Sequence, residues 1–104
     1  MTNYILIFMT SNSLEEAEKI IQALLDNKLI ACATYLEKAR SMYLWEGKVE
    51  KDYEIEVRMK AKASSFDQIV TVIQKLHSYD VPQIISVELS NISQKYRSWL
   101  DQTI

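Results

Sequence analysis

The sequence predicts an α+β domain with the element order β-α-β-β-α-β and a C-terminal helix. The first observation is a pair of alternating apolar and polar runs that meet at Gly47, the pattern of a long β-hairpin. The second is a pair of amphipathic helical segments, residues 14–25 and 66–77, one before and one after the hairpin. The third is two apolar runs of strand length at residues 4–10 and 84–89. Two split β-α-β units on one antiparallel sheet form the ferredoxin-like arrangement.

The hairpin is the clearest element of the sequence. Before its turn, Tyr43 and Trp45 alternate with side chains of the opposite face, and after it residues 53–61 alternate between apolar and charged. Such a period of two predicts strands with one apolar and one charged face. Glu46 and Gly47 are expected at the tip, because the only glycine of the chain tolerates the positive φ of a tight turn.

The other strands are bounded by composition. The unbroken apolar run at residues 4–10 predicts a central strand that is buried on both faces. Residues 29–36 begin the first arm of the hairpin, and the polar stretch 37–40 predicts a bulge or a bend within that arm. Residues 84–89 form the last strand, since Pro82 ends any helix before it and keeps its neighbour extended.

Polar residues mark where the helices begin. Ser13 with Glu16 three residues later is a capping box, and Ser65 with Gln68 is a second one. Asn91 is expected to cap the short final helix. In the ferredoxin-like arrangement both long helices cover one face of the sheet, so the charged side of the hairpin belongs to the other face.

The composition is that of an ordinary globular chain, and residues 1–104 are expected to form one domain. A net charge of −2 leaves no basic footprint, which argues against a nucleic-acid partner. No apolar run has the length of a membrane span, and no signal-peptide pattern is present. The single cysteine is typical of a reducing cytoplasm, which is the expected localisation. Without a glycine-rich phosphate loop, the sequence predicts neither an enzyme nor an organic cofactor.

The face of the sheet away from the helices is expected to carry four charged residues, Glu54, Glu56, Arg58 and Lys60. The simplest interpretation is a solvated charged surface. Four aromatic residues nevertheless add more apolar area than one small subunit readily buries: Tyr35, Tyr43, Trp45 and Tyr53. We therefore expect these four residues to form an interface between subunits.

Four segments follow one another along the chain at residues 31–34, 41–50, 77–82 and 96–100. Their order and spacing resemble the CutA family of divalent-cation tolerance proteins. The Tyr-x-Trp-x-Gly hairpin with His-x-Tyr-x-x-Pro downstream is a specific combination within that resemblance. The similarity extends from the first strand to the last helix.

The resemblance implies a cytoplasmic homotrimer whose subunits are similar in architecture to the PII signalling proteins. That family is linked to tolerance of copper and other divalent ions, and some of its members bind copper. Some members also have a second cysteine at the end of the first strand, where this chain has Met9. The chain departs from the common family pattern at polar loop positions, among them Glu37, Lys38, Ser78 and Gln83.

Three residues are candidate metal ligands. As a thiolate, Cys32 would favour soft Cu(I) or act as a nucleophile or redox sensor; the alternative, favoured by residue type, is a small buried apolar side chain. His77, the only histidine, either binds the metal or bonds free carbonyls at a helix C-terminus. Met9 either supplies a thioether or fills the core. A threefold assembly would let subunits share ligands.

Two functions from different classes are consistent with these residues. The first is a trimeric metal-response protein that binds copper or a related divalent ion through Cys32, His77 and Met9. The second is a PII-like regulator that holds a small effector in the clefts between its subunits, with metal binding incidental. Both predict the same fold and the same homotrimer, and neither requires a catalytic residue.

Overall fold

The computed structural model describes all 104 residues and contains four strands and three α-helices. In chain order these are β1 (Tyr4–Ser11), α1 (Leu14–Asp26), β2 (Cys32–Trp45), β3 (Lys48–Lys62), α2 (Phe66–Leu76), β4 (Ile84–Glu88) and α3 (Gln94–Thr103). The strands form one antiparallel sheet in the order β2-β3-β1-β4. This order confirms the predicted ferredoxin-like α+β fold, because each β-α-β unit is split by a strand of the other.

The hydrophobic core lies between one face of the sheet and the helices α1 and α2. This covered face consists of alternate residues of the strands, and the antiparallel register places Ile7 of β1 beside Met59 of β3. Fourteen buried residues form the core: Ile5, Ile7, Met9, Ala17, Ile20, Ile21, Leu24, Ile30, Ile55, Val57, Met59, Ala61, Ile69 and Ile73. The apolar stripes of both helices therefore pack on the sheet, as their helical spacing predicts.

The opposite face of the sheet, here called the open face, has neither α1 nor α2 against it. The register assigns to it the alternate residues Leu6, Phe8, Cys32, Thr34, Leu36, Arg58, Lys60, Ile85 and Val87. The strand β1 is central, as predicted, but Leu6 and Phe8 are only half-buried. The expected burial of β1 on both faces is therefore wrong for a single chain, because the second face lacks a covering layer.

The strands β2 and β3 form the predicted hairpin, which ends at the pair Trp45 and Lys48. Glu46 and Gly47 form the turn between them with φ values of 50° and 78°. Positive φ at both central residues is what a type I′ turn requires, and that turn matches the twist of the two strands. The position of the only glycine therefore locates the tip correctly.

The predicted interruption of β2 is a β-bulge. Leu36 pairs with Glu56 and Ala39 pairs with Glu54, so two residues of β2 face one residue of β3. Within the bulge, Lys38 has a positive φ of 60°. An extra residue of this kind bends the strand and increases its twist.

The helix α1 begins where the capping pattern predicts. The Ser13 hydroxyl accepts a hydrogen bond of 3.1 Å from the backbone N–H of Glu16. The reciprocal half of the predicted capping box is absent, because the Glu16 carboxylate is engaged by Ser11 and Ser78 instead. The N-cap is thus confirmed, while the carboxylate has another role.

The helix α2 begins after Ser65, as predicted, but without the predicted capping hydrogen bond, and the final helix begins later than predicted. Ser65 makes no capping hydrogen bond: it ends a short 3₁₀ turn, Ala63–Ser65, and its helical backbone angles differ from the extended ones that an N-cap normally has. The final helix begins after Ser93 and not after Asn91. The Ser93 hydroxyl accepts from the backbone N–H of Tyr96 at 3.3 Å, so a nearby serine takes the capping role.

Two strands are shorter at one end than predicted. The strand β2 begins at Cys32, although the backbone N–H of Ala31 already donates to the carbonyl of Lys60 at 2.9 Å. The strand β4 ends one residue early, and the N–H of Leu89 still donates to the carbonyl of Tyr4 at 3.0 Å. Both differences lie at strand ends, where pairing fades gradually.

The helix α3 packs near the start of β1, away from the main core. A second buried cluster joins Tyr4, Ala31 and Leu100 there, with Tyr96 of α3 packed against it. This packing brings the side chain of Tyr96 to Cys32. No helix in the chain has both the length and the apolar character needed to cross a membrane.

Candidate metal centre and assembly surface

Cys32 lies at the first position of β2 on the open face and is partly exposed. Its Sγ atom is 3.4 Å from the Tyr96 hydroxyl and 3.7 Å from the Nζ atom of Lys60. The Lys60 ammonium also lies 5.6 Å from the centre of the Tyr96 ring. The thiol therefore stands in a polar, accessible setting and is not the fully buried apolar side chain that was the alternative.

The hydroxyl of Tyr96 responds to the same surroundings. Burial raises the pKa of Tyr96, and the hydrogen bond with Cys32 raises it further, although Lys60 acts in the opposite direction. The hydroxyl thus keeps its proton at neutral pH and remains able to donate to the sulfur. A soft metal ion at Cys32 would approach from the open face, and the nearby Lys60 ammonium would have to turn away.

His77 follows the last turn of α2, and its ring is completely buried. Its Nε2 atom lies 2.7 Å from the carbonyl oxygen of Thr10, and its Nδ1 atom accepts from the backbone N–H of Tyr79 at 3.0 Å. Because a carbonyl only accepts, Nε2 carries the proton and the ring is the neutral tautomer in this arrangement. Both ring nitrogens have protein partners, so a metal ion would have to displace one of them.

Glu16 completes the surroundings of His77. Its carboxylate accepts from the Ser11 hydroxyl at 2.6 Å and from the backbone N–H of Ser78 at 2.7 Å, and it lies 3.6 Å from Nδ1 of His77. Burial opposes the charge of this carboxylate, but the hydrogen bonds from Ser11 and Ser78 leave the pKa of Glu16 below its ordinary value. The sequence pointed only to a capping role, and its spacing contained no signal for this contact.

A pair formed by the half-buried Tyr79 and the buried Glu54 extends this network. The Tyr79 hydroxyl donates to Glu54 at 3.0 Å, and the Tyr79 ring stands 4.8 Å from the His77 ring. Burial first, and then the hydrogen bond to the carboxylate, raise the pKa of Tyr79. The predicted exposed position of Glu54 is wrong, because its side chain is buried and accepts from Tyr79.

Met9 lies in the core on the covered face and has no exposed surface. It pairs with Val57 of β3, which pairs with Tyr35 of β2, whereas Cys32 belongs to the alternate set of residues. Since successive side chains of a strand point to opposite faces, Met9 and Cys32 lie on opposite sides of the sheet. One chain cannot bring both sulfur atoms to the same ion.

His77 and Cys32 are also far apart along the sheet. His77 contacts Thr10, which pairs with Glu56, whereas Cys32 pairs with Lys60. Four residues of a strand span about 13 Å. The chain also contains no cluster of three or more histidine, cysteine or acidic side chains placed to hold a metal ion. The three predicted ligands therefore do not form one site within a single chain.

The four predicted interface aromatics are all exposed in the single chain: Tyr35, Tyr43, Trp45 and Tyr53. Trp45 exposes 54% of its surface and Tyr53 exposes 64%, which is unusual for side chains of this size in a small domain. The hydroxyls of Tyr35 and Tyr43 are bound to Glu18 and Asp52 at 2.5 Å, while their rings stay uncovered. The bond to Asp52 raises the pKa of Tyr43 to about 12.

Comparison with known proteins shows that the chain matches one protein family over almost its whole length. Residues 5–103 match the family model of the CutA1 divalent ion tolerance protein. The divalent-cation tolerance protein CutA of Pyrococcus horikoshii is 38% identical over 92% of this chain and 93% of its own length.

Solved structures agree with this match. The CutA1 of Ehrlichia chaffeensis superposes with a TM-score of 0.91 at 32% identity, covering 99% of this chain and 96% of that one. A CutA of Archaeoglobus fulgidus described as a periplasmic divalent cation tolerance protein superposes with a TM-score of 0.90 at 33% identity, covering 99% and 98%. At this level of identity and coverage, the fold and the sequence indicate the same family.

Proposed function

Since the chain belongs to the CutA1 family of divalent ion tolerance proteins, we propose that it acts in divalent-cation tolerance as a homotrimer that binds copper or a related ion at Cys32. The observation that supports this site is the partly exposed thiol on the open face. Of the three candidate ligands, only Cys32 is accessible: Met9 is in the core, and both ring nitrogens of His77 have protein partners.

A single thiol is too few ligands for a specific ion, so the proposal requires more than one copy of the chain. Cu(I) is typically held by two or more soft donors. If the open faces of three copies meet around a threefold axis, their Cys32 residues supply those donors together. Assembly would also cover the apolar residues of the open face and the exposed hairpin aromatics, which one chain leaves in contact with water.

The metal site is tested by titrating Cu(I) into reduced, metal-free protein in the presence of a competing chelator, with Cu(II) as a parallel series. We expect Cys32→Ser to weaken Cu(I) binding at least tenfold. Met9→Leu is the matched control for the second sulfur, and it should leave the affinity within about twofold because a core thioether does not reach the ion. Tight binding that survives Cys32→Ser would contradict the proposed site.

The assembly is tested by measuring the native mass and the dissociation of the oligomer on dilution. Trp45→Ala should weaken assembly by about 2 to 4 kcal/mol, the range of a buried aromatic anchor. Trp99→Ala, which removes a tryptophan from α3, is the control for loss of an aromatic ring away from the hairpin. A native mass of one subunit for the unmutated protein would contradict the homotrimer.

Copper binding by a thiolate also implies a compartment in which Cys32 stays reduced, so we propose the cytoplasm. This location is tested by cell fractionation combined with thiol labelling of Cys32. Recovery in the periplasmic fraction, the location stated for the Archaeoglobus fulgidus protein, would contradict this part of the proposal.

A further inference from the structure

A surface cleft lies beside α3, separate from the Cys32 site. It consists of two adjoining cavities of about 300 Å³ and 370 Å³, which share Thr2 and Lys62 in their walls. The first cavity is also lined by Tyr4, Arg97 and Asp101, and neither cavity includes Cys32. Pockets for small ligands begin at about 300 Å³, so the volume is sufficient.

Two cationic side chains face this cleft without a carboxylate partner. Neither Lys62 nor Arg97 is paired: the only contact between a basic side chain of lysine or arginine and a carboxylate is that of Arg58 with Glu56, and His77 is the other residue beside a carboxylate. The only acidic side chain in the cleft is Asp101, and its carboxylate accepts the hydroxyl of Tyr4 at 2.5 Å. The side chains lining the cleft are therefore net positive, although the whole chain has a net charge of −2.

Arg97 is held in position before any ligand arrives. Its Nη1 atom donates to the carbonyl of Thr2 at 3.0 Å, and its guanidinium lies 5.4 Å from the centre of the Tyr4 ring. Only one of the five N–H donors of the group is used by this contact, so others remain for a ligand. A cation fixed in advance loses little conformational entropy on binding.

Neutral donors line the second cavity. Thr2, Asn3 and Ser64 line it, and their side chains make no hydrogen bond within the chain. The cavity also borders the 3₁₀ turn Ala63–Ser65 that leads into α2, where the N-terminal end of the helix adds partial positive charge. Several donors around one ammonium match an anion that has several acceptor oxygens.

We propose that this cleft binds a small phosphate-bearing anion, with Lys62 contacting the phosphate oxygens from the middle of the cleft and Arg97 binding the far end of the molecule. Phosphate fits better than a single carboxylate, because Lys62, Thr2, Asn3 and Ser64 together offer more donors than two carboxylate oxygens use. The site does not depend on the metal role, since the polar contacts of Cys32 are with Tyr96 and Lys60, neither of which lines the cleft.

The test is calorimetric titration of inorganic pyrophosphate into the full chain at low ionic strength, with citrate as the carboxylate probe. The protein must be free of added tags, because Thr2 and Ile104 line the cleft. Lys62→Gln removes the central charge. Lys19→Gln makes the same change on the exposed surface of α1 and is the matched control.

We expect pyrophosphate to bind more tightly than citrate, to raise the Tm of the unmutated protein, and to lose at least tenfold in affinity with Lys62→Gln. Lys19→Gln should leave the affinity within twofold. Tighter binding of citrate would overturn the assignment to phosphate. No detectable pyrophosphate binding, binding that survives Lys62→Gln, or equal losses in the two variants would overturn the site itself.

Discussion

The two ends of the sheet place polar side chains in opposite situations. At one end, His77, Glu16 and Tyr79 form a closed network in which every buried polar atom has a partner. At the other end, Cys32 and Lys60 make long contacts on a partly exposed surface. A potential metal ligand occurs at each end, His77 at the first and Cys32 at the second. Only Cys32 is accessible to an ion.

This difference shows that residue type alone does not identify a ligand. His77 is a better general metal ligand than most residues, yet the fold uses both of its nitrogens to join α2, β1 and the loop that follows α2. A group that is fully hydrogen-bonded contributes to stability and is costly to free. Mutations at the closed end, around His77, should therefore lower the stability of the fold. Mutations at the open end, around Cys32, should instead change metal binding.

The largest expected effect that separates the two ends is that of His77→Ala. Removing the ring leaves the Thr10 carbonyl and the Tyr79 N–H without partners in a buried place, so we expect a loss of about 3 kcal/mol in the free energy of unfolding. Cys32→Ser, at the open end, should cost less than about 1 kcal/mol. Urea denaturation at one fixed protein concentration measures both. A larger loss from Cys32→Ser would reverse the comparison.

A smaller effect should appear in acid, through Glu16. The folded-state pKa of Glu16 lies below its ordinary value of 4.5, so its contribution is present above that value and is lost as the pH falls through the folded pKa. We expect Glu16→Gln to lower stability at pH 7 by about 1 to 2 kcal/mol and by less at pH 3. The exposed Glu15→Gln, also in the first turn of α1, is the control. An equal loss at both pH values would contradict the role of the charge.

The smallest effect should appear in alkali, beside the proposed anion cleft. Burial, and then the hydrogen bond to Asp101, raise the pKa of Tyr4 to about 12. A raised pKa means that the stabilisation is complete below the ordinary value of 10 and is lost as the pH rises from there through the folded value.

We therefore expect Tyr4→Phe to cost about 1 kcal/mol at pH 7 and to make stability less dependent on pH between 9 and 11. Tyr53→Phe, at an exposed hairpin position, is the control and should leave this dependence unchanged. Urea titrations at pH 7, 9 and 11 measure the difference. If the stability of both variants falls with pH as steeply as that of the unmutated protein, the contact of Tyr4 with Asp101 does not cause the alkaline loss of stability.

The sequence predicted the fold well because its strongest patterns are local. The alternation around Gly47, the helical stripes facing the sheet and the bulge after Leu36 are each set by neighbours in the chain. The start of α2 after Ser65 was correct, although its capping hydrogen bond is absent. The start of the final helix at Asn91 was wrong because the nearby Ser93 takes the same capping role.

The candidate site was less predictable because it depends on contacts between distant segments. Which face of the sheet Cys32 and Met9 occupy follows from strand register, and the partners of His77 lie 67 residues away and two residues away. The cleft at Lys62 joins both ends of the chain, and no spacing in the sequence marks it. Such contacts become visible only when the tertiary structure is known.

The bulge between Leu36 and Ala39 changes which face of the sheet the odd-numbered residues of β2 point to. Before it, odd-numbered residues such as Tyr35 share a side of the sheet with Met59; after it, the extra residue sends Tyr43 and Trp45 to the side of Cys32. Deleting one residue from the bulge would restore the alternation that holds before it, and both rings would point to the other face of the sheet. A single backbone insertion thus decides on which side of the sheet the hairpin presents its largest apolar side chain.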